Sequence, residues 1–173
     1  MKIREMISQD LIAVARVNVD TFRETQSGIV PDQLINTLSY ESAARRFQRL
    51  LDKEEQRSTI FVAEDCGAIV GYAMGGRARE PVAHYEGELY GIYILPQYHG
   101  TGVGRRLMSV MARYLTAQRI YSMFVVVFSA NLPAIKFYEA LGGKKCCDRT
   151  MALHGWNLKE AIYGWDSLNE LCR

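Results

Sequence analysis

Apolar residues recur along this chain with two periods, and the places where the period changes divide it into elements. Residues 2–5 read as a short strand. Asp10 stands in N-cap position before Leu11, Val14, Ala15, Val19 and Phe22, a spacing that predicts a helix over 10–23. A loop over 25–30 follows, Pro31 opens a second helix to about residue 37, and Ala43, Phe47, Leu50 and Leu51 stripe a third over 42–51. The β-branched run 59–63, the turn Cys66-Gly67 and residues 68–74 form a hairpin. Gly75 and Gly76 end it, leaving 77–87 as a polar connection. Residues 88–95 predict a strand interrupted at Gly91, and 102–118 a helix with Val103, Leu107, Val110, Met111, Tyr114 and Leu115 on one face. The unbroken apolar run 123–128 marks a strand covered on both sides. A helix over 131–141 is capped by Asn131, with Pro133 in its first turn and Gly142-Gly143 after it. Two final antiparallel strands, 146–153 and 159–165, flank a turn at 154–157. The order βααα-ββ-βα-βα-ββ is an α+β pattern with a mixed sheet, and its irregular alternation disfavours a doubly wound fold.

The chain has 173 residues, 49% hydrophobic and 23% charged, which fits one globular domain over 1–173 rather than a disordered chain. No apolar run approaches the ~20 residues that span a bilayer, and the N-terminus lacks a secretory pattern, so a cytoplasmic protein without membrane contact is expected. A net charge of +2 gives no bulk electrostatics for nucleic acid. Cys66, Cys146, Cys147 and Cys172 make no C-x-x-C pair and have no histidine at ligand spacing, so they read as plain thiols and no metal is expected.

The chemistry concentrates in the segment Leu95-Pro-Gln-Tyr-His-Gly100-Thr-Gly-Val-Gly104-Arg-Arg-Leu107, which places three glycines between a strand and a helix. Glycines allow positive φ and let several N–H groups converge, and the helix start adds unsatisfied donors and about half a positive charge. That combination is a phosphate cradle. A dinucleotide loop would carry its third glycine one residue later, where Arg105 stands, and an acid about 20 residues on. A Walker loop would need Gly-Lys-Ser/Thr. Neither fits.

The segment resembles the acyl-CoA loop of the GNAT N-acetyltransferases, Arg/Gln-x-x-Gly-x-Gly/Ala, read in many members as Arg-Gly-x-Gly-Ile/Val-Gly. A second block, Asn131-Leu-Pro-Ala134-Ile-Lys-Phe137-Tyr138-Glu-Ala-Leu141-Gly142, resembles the family's later Asn-x-x-Ala-x-x-Phe-Tyr-x-x-Leu-Gly. The specific motifs cover about a third of the chain. His99 departs from the family, which usually places Arg or Gln there, but an imidazole can still donate one hydrogen bond to a phosphate. The resemblance implies a three-layer fold whose mixed, mostly antiparallel sheet of about seven strands is flanked by helices. It also implies an acetyl-CoA-dependent N-acetyltransferase with no metal. By the same resemblance, His99, Gly100, Thr101, Gly102, Val103, Gly104 and Arg105 would hold the pyrophosphate. Ile92, Tyr93 and Ile94 would pair with the pantetheine arm along an edge opened by a bulge near Gly91. Asn131 would contact the coenzyme, and Tyr138 would lie near the sulfur and protonate the departing thiolate.

Transfer to an alkylamine of pKa near 10.4 requires a proton to leave first, which costs about 4 kcal/mol at pH 7.5. A carboxylate can accept it. Glu88, at the start of the central strand, is the candidate base, with Glu86 its competitor. Glu24, His84, Tyr85 and Glu86 are the candidate contacts for an amine acceptor, a small molecule or a peptide or protein amine. The rival reading is a non-catalytic acyl-CoA sensor on the same fold. A homodimer is allowed, with Tyr163 and Trp165 covering a sheet end.

Overall fold

A computed structural model of the chain describes residues 1–52 and 58–172. Among them the order is β1 (Lys2–Glu5), α1 (Leu11–Gln26), α2 (Asp32–Ile35), α3 (Tyr40–Leu51), β2 (Ser58–Asp65), β3 (Ala68–Val82), β4 (Tyr85–Ile94), α4 (Val103–Ala117), β5 (Met123–Phe128), α5 (Leu132–Ala140), β6 (Lys144–Leu153) and β7 (Trp156–Trp165). The described strands form one sheet in the order β1-β2-β3-β4-β5-β7-β6, in which only β4 and β5 run parallel. This is the expected α+β, three-layer, mostly antiparallel arrangement.

Strand alternation sorts the core between the layers. Phe61, Ala63, Ala73 and Leu89 pack with Leu107, Met108, Met111 and Leu115 of α4 on one face. Ile60, Val62 and Tyr72 pack with Val14, Ala15, Ala43 and Phe47 of α1 and α3 on the other. Each fully buried side chain of that size contributes about 1.5–3 kcal/mol. On β5, Met123, Val125 and Val127 join the α4 side, whereas Phe124 and Val126 pack with Tyr85, Ile162, Ala78 and Val82. The continuous apolar run therefore does reflect cover on both faces.

The clearest departure from the sequence pattern lies at 75–87. The glycine pair does not end β3, which continues to Val82 and turns directly into β4 at Tyr85. Gly75 is there for close approach: a Cβ would sit 2.8 Å from the Glu88 carbonyl oxygen and 3.0 Å from Met111 Sδ. The polar residues beyond it form the far end of the hairpin. At the N-terminal side, α1 runs on to Gln26, taking in residues expected in a loop. The aromatics expected at a dimer interface are internal: Tyr163 and Trp165 are both buried, and Trp165 Nε1 donates to the Leu141 carbonyl at 2.9 Å. All four cysteines are free.

No helix among the described residues is long and apolar enough to cross a membrane. Nor do the described residues include a cluster of three or more His, Cys, Asp or Glu suited to a metal ion.

Two irregularities open the centre of the sheet. Met74 pairs with Gly91 but Gly75 with Leu89, so Tyr90 is an extra residue bulging from β4. On the other side, β4 pairs with β5 only at Gly87–Met123, Glu88–Phe124 and Leu89–Val125. Beyond Leu89 the two parallel strands separate, and the edge of β4 facing β5 loses its ladder.

Candidate functional site

The gap between the separated strands is part of a cavity of about 990 Å³, at the upper end of ligand sites, ~300–1,000 Å³. Residues 90–94 of β4 and 124–128 of β5 line it, with α1, the start of α4 and α5 as further walls. At one end lies the glycine loop. Gly102 caps α4 with φ of 86° and ψ of −1°, a left-handed conformation that side chains resist. Gly104 is needed for contact, since a Cβ there would meet the Phe137 ring at 2.8 Å.

The loop's amides divide into two sets. His99 N–H donates to the Pro96 carbonyl at 2.9 Å and Thr101 N–H to that of Tyr98 at 3.4 Å, so both are engaged inside the turn. The amides of Gly100, Gly102, Val103, Gly104 and Arg105 have no main-chain acceptor outside their own helix among the described residues. The His99 ring also differs from expectation: its Nε2 lies 2.8 Å from the Ile94 carbonyl oxygen and ties the loop back to β4. His99, Gly100, Gly102, Gly104 and Arg105 line the cavity, but Thr101 and Val103 do not.

Tyr138 of α5 lines the cavity and is buried, its ring 6.1 Å edge-to-face from Trp165. Burial, reinforced by nearby Tyr93, holds its phenol well above the usual range. The group is therefore a proton donor throughout neutral and mildly alkaline pH. Asn131 caps α5, its Oδ1 accepting the Ala134 N–H at 3.2 Å, and also lines the cavity. Ile92, Tyr93 and Ile94 border the opened edge.

Glu88 lines the cavity and is 4% exposed. It is not free. Its Oε2 accepts the Arg79 main-chain N–H at 3.0 Å and Arg79 Nε at 3.1 Å, while its Oε1 pairs with Arg79 Nη2. The guanidinium in turn stacks 4.4 Å from the centroid of the Tyr90 ring.

None of the four expected acceptor contacts lines the cavity. Glu24 is exposed on α1, and Glu86 is exposed on β4. His84 Nε2 meets Asp166 Oδ1 at 2.8 Å on the outside. Tyr85 is buried against Phe124 and over Gly164, where it fills the place a side chain would take. His84, Tyr85 and Glu86 fall at the tip of the β3–β4 hairpin, away from the cavity.

Besides Glu88, the cavity is lined by Glu80, an acid of the 77–87 stretch that the sequence also offers to a cationic amine, and by polar side chains that the sequence does not single out. Arg79 comes from the hairpin, Arg149 and Glu160 from the β6–β7 pair, and Thr21 and Gln26 from α1. Arg149 and Glu160 are cross-strand partners, joined at 2.6 Å through Arg149 Nε and Glu160 Oε2. Thr21 Oγ1 and Gln26 Oε1 are buried without hydrogen-bond partners among the described residues.

Comparison with known proteins agrees with the motifs. Residues 23–143 match the family described as Acetyltransferase (GNAT) family. The chain is 36% identical over 172 residues to the uncharacterized N-acetyltransferase YuaI of Bacillus subtilis, covering 98% of this chain and 95% of that one. Among solved structures, a ribosomal-protein-alanine N-acetyltransferase from Brucella melitensis superposes with a TM-score of 0.75 at 22% identity, over 95% and 99% of the two chains. YncA, a putative acetyltransferase from Salmonella typhimurium solved with its cofactor acetyl-CoA, superposes with a TM-score of 0.68 at 20% identity, over 98% and 94%.

Proposed function

From the premise that this chain belongs to the GNAT acetyltransferase family and is an acetyl-CoA-dependent acetyltransferase, we propose that it acetylates a primary amine by direct attack in a ternary complex. The observation that carries this reading is the convergence of a loop with unengaged amides, an opened strand edge and the Tyr138 phenol on one cavity.

The residues present fit the coenzyme. The free amides of Gly100, Gly102, Gly104 and Arg105, all on the cavity lining at the start of α4, suit a diphosphate, whose charge the helix end favours. The main chain of Ile92, Tyr93 and Ile94 has no ladder partner in β5 and, apart from the Ile94 carbonyl that His99 engages, suits the amides of the pantetheine arm. Asn131 borders the same channel. When bound, acetyl-CoA supplies the activated acyl group. His99 secures the loop to β4 rather than contacting phosphate, and Thr101 and Val103 shape the turn.

Tyr138 holds a proton inside the cavity and delivers it to the leaving thiolate. Glu88 is the base, acting directly or through water. Its hydrogen bonds to Arg79 mean that the guanidinium, 62% exposed, must yield an oxygen before Glu88 accepts a proton. Glu88→Gln is expected to lower kcat by about a hundredfold, the lower end of general-base contributions of ~10²–10⁴. Glu86→Gln is expected to leave it unchanged, because Glu86 lies outside the cavity. Steady-state rates of both variants decide between the two acids, and equal losses would remove Glu88 from the role.

The function itself is tested by an acceptor screen with acetyl-CoA, scoring thiol release over small amines, amino acids, polyamines and peptides. Acceptor-dependent release is the expected result. Tight acetyl-CoA binding with no release from any acceptor would favour a sensor.

A further inference from the structure

The acceptor end of the cavity carries a charge arrangement that the transfer chemistry does not use. Glu160 is a buried carboxylate on β7, 6% exposed, and Arg149 on β6 neutralises it through Nε alone. The Nη1 and Nη2 groups of Arg149 have no partner among the described residues, its side chain is 40% exposed, and both residues line the cavity. A guanidinium fixed at Nε by one carboxylate presents its remaining edge as a planar fork, the geometry that grips a second oxyanion with two parallel hydrogen bonds.

Stability does not account for the pair. A buried ion pair is often no better than apolar residues of the same volume, and the neighbouring Phe128, Leu158 and Met151 show that this part of the sheet accepts apolar side chains. The cavity lining therefore carries a guanidinium fork at Arg149 and a buried carboxylate at Glu88.

We propose that the acceptor is a small amine that also bears a carboxylate or comparable oxyanion, an amino-acid-like zwitterion, with its anionic group held by Arg149. This rests on the acetyltransfer reading and narrows it. A polyamine finds no counterpart for its second cation at Arg149, whose positive charge opposes it. An acceptor with both poles satisfies the fork and leaves its amine to Glu88.

The test uses matched pairs: phenylalanine with phenethylamine, histidine with histamine, leucine with isopentylamine, alongside 4-aminobutyrate, putrescine and spermidine. Each is measured by thiol release with saturating acetyl-CoA and by calorimetric binding to the full chain loaded with CoA. Oxyanion-bearing amines are expected to exceed their partners in kcat/KM and affinity. Arg149→Gln is expected to raise their KM by about ten- to hundredfold, the value of a charge-assisted hydrogen-bonded contact, with kcat and the acetyl-CoA KM little changed. Because that variant strands a buried carboxylate, Arg149→Met with Glu160→Leu removes the fork without doing so, and the same KM rise is expected. Arg149→Lys keeps the charge but not the fork and recovers only part of the affinity.

Equal kcat/KM for an amine with and without its oxyanion, preference for spermidine, or an unchanged KM in the folded double variant would overturn the anion site while leaving acetyltransfer standing. Arg149-dependent binding of the zwitterions without thiol release would uphold the anion site and count against acetyltransfer.

Discussion

Tyr138→Phe lowers kcat by about two orders of magnitude while acetyl-CoA affinity changes by less than about threefold, as expected for loss of a general acid. The ring is what α5 packs with: it meets Trp165 edge-to-face and Phe137 at 5.4 Å, contacts that phenylalanine keeps. The hydroxyl adds nothing to that packing. Tyr138 lines the cavity, and burial with the nearby Tyr93 raises its pKa, so the phenol keeps its proton at neutral pH.

The same shift has a consequence for stability. Because the folded value lies above the unfolded one, near 10, the neutral phenol favours the folded chain fully below pH 10, and this contribution is lost as pH rises toward the folded value. Denaturation midpoints at pH 9 and pH 11 should therefore fall less in Tyr138→Phe than in the parent chain. The activity profile should show no alkaline limb from this group below pH 10. Unaltered kcat with a competent acceptor would remove Tyr138 from the chemistry.

Those residues were legible because their roles are local. Three glycines between a strand and a helix announce a turn with converging amides, and Asn131 before Pro133 announces a capped helix. The Arg149–Glu160 pair was not legible, because its two residues meet only through register. With the last turn placed at residues 154–157, Arg149 would face Ile162 and Glu160 would face Met151. The structure turns at 154–155, pairs Leu153 with Trp156, and so brings Arg149 opposite Glu160. A shift of two residues separates a charged pair from an unremarkable strand. Glu88 shows the same limit. Its place on the central strand was readable, although β4 begins at Tyr85 rather than at Glu88, and the partner that occupies both its oxygens, Arg79, lies across a hairpin that Gly75 and Gly76 disguised as a loop. The sequence carries propensity and spacing within an element, and the site depends on pairings between elements.

Gly102→Asp is expected to abolish useful coenzyme binding, weakening it by at least a hundredfold, with the fold retained. The position tolerates the side chain sterically: a Cβ there meets nothing within 4 Å. Aspartate caps helices from an extended backbone, so it gains no cap at the left-handed Gly102. It enters the left-handed region more readily than most residues, so φ of 86° costs about 1–2 kcal/mol, small against the stability of a domain. Its carboxylate, however, stands where the free amides and the helix end would meet a diphosphate. Two like charges at about 4 Å repel by about 4 kcal/mol at an effective dielectric of 20, nearly a thousandfold in affinity. Gly102→Asn separates charge from shape, since asparagine adopts the same backbone but carries no charge; it should bind within about tenfold of the parent chain. Calorimetric titration of all three proteins with CoA, at low and high salt, provides the comparison, and the aspartate deficit should shrink as salt screens it. Parent-like affinity in Gly102→Asp would mean that the diphosphate lies elsewhere, and the cradle at the start of α4 would have to be abandoned.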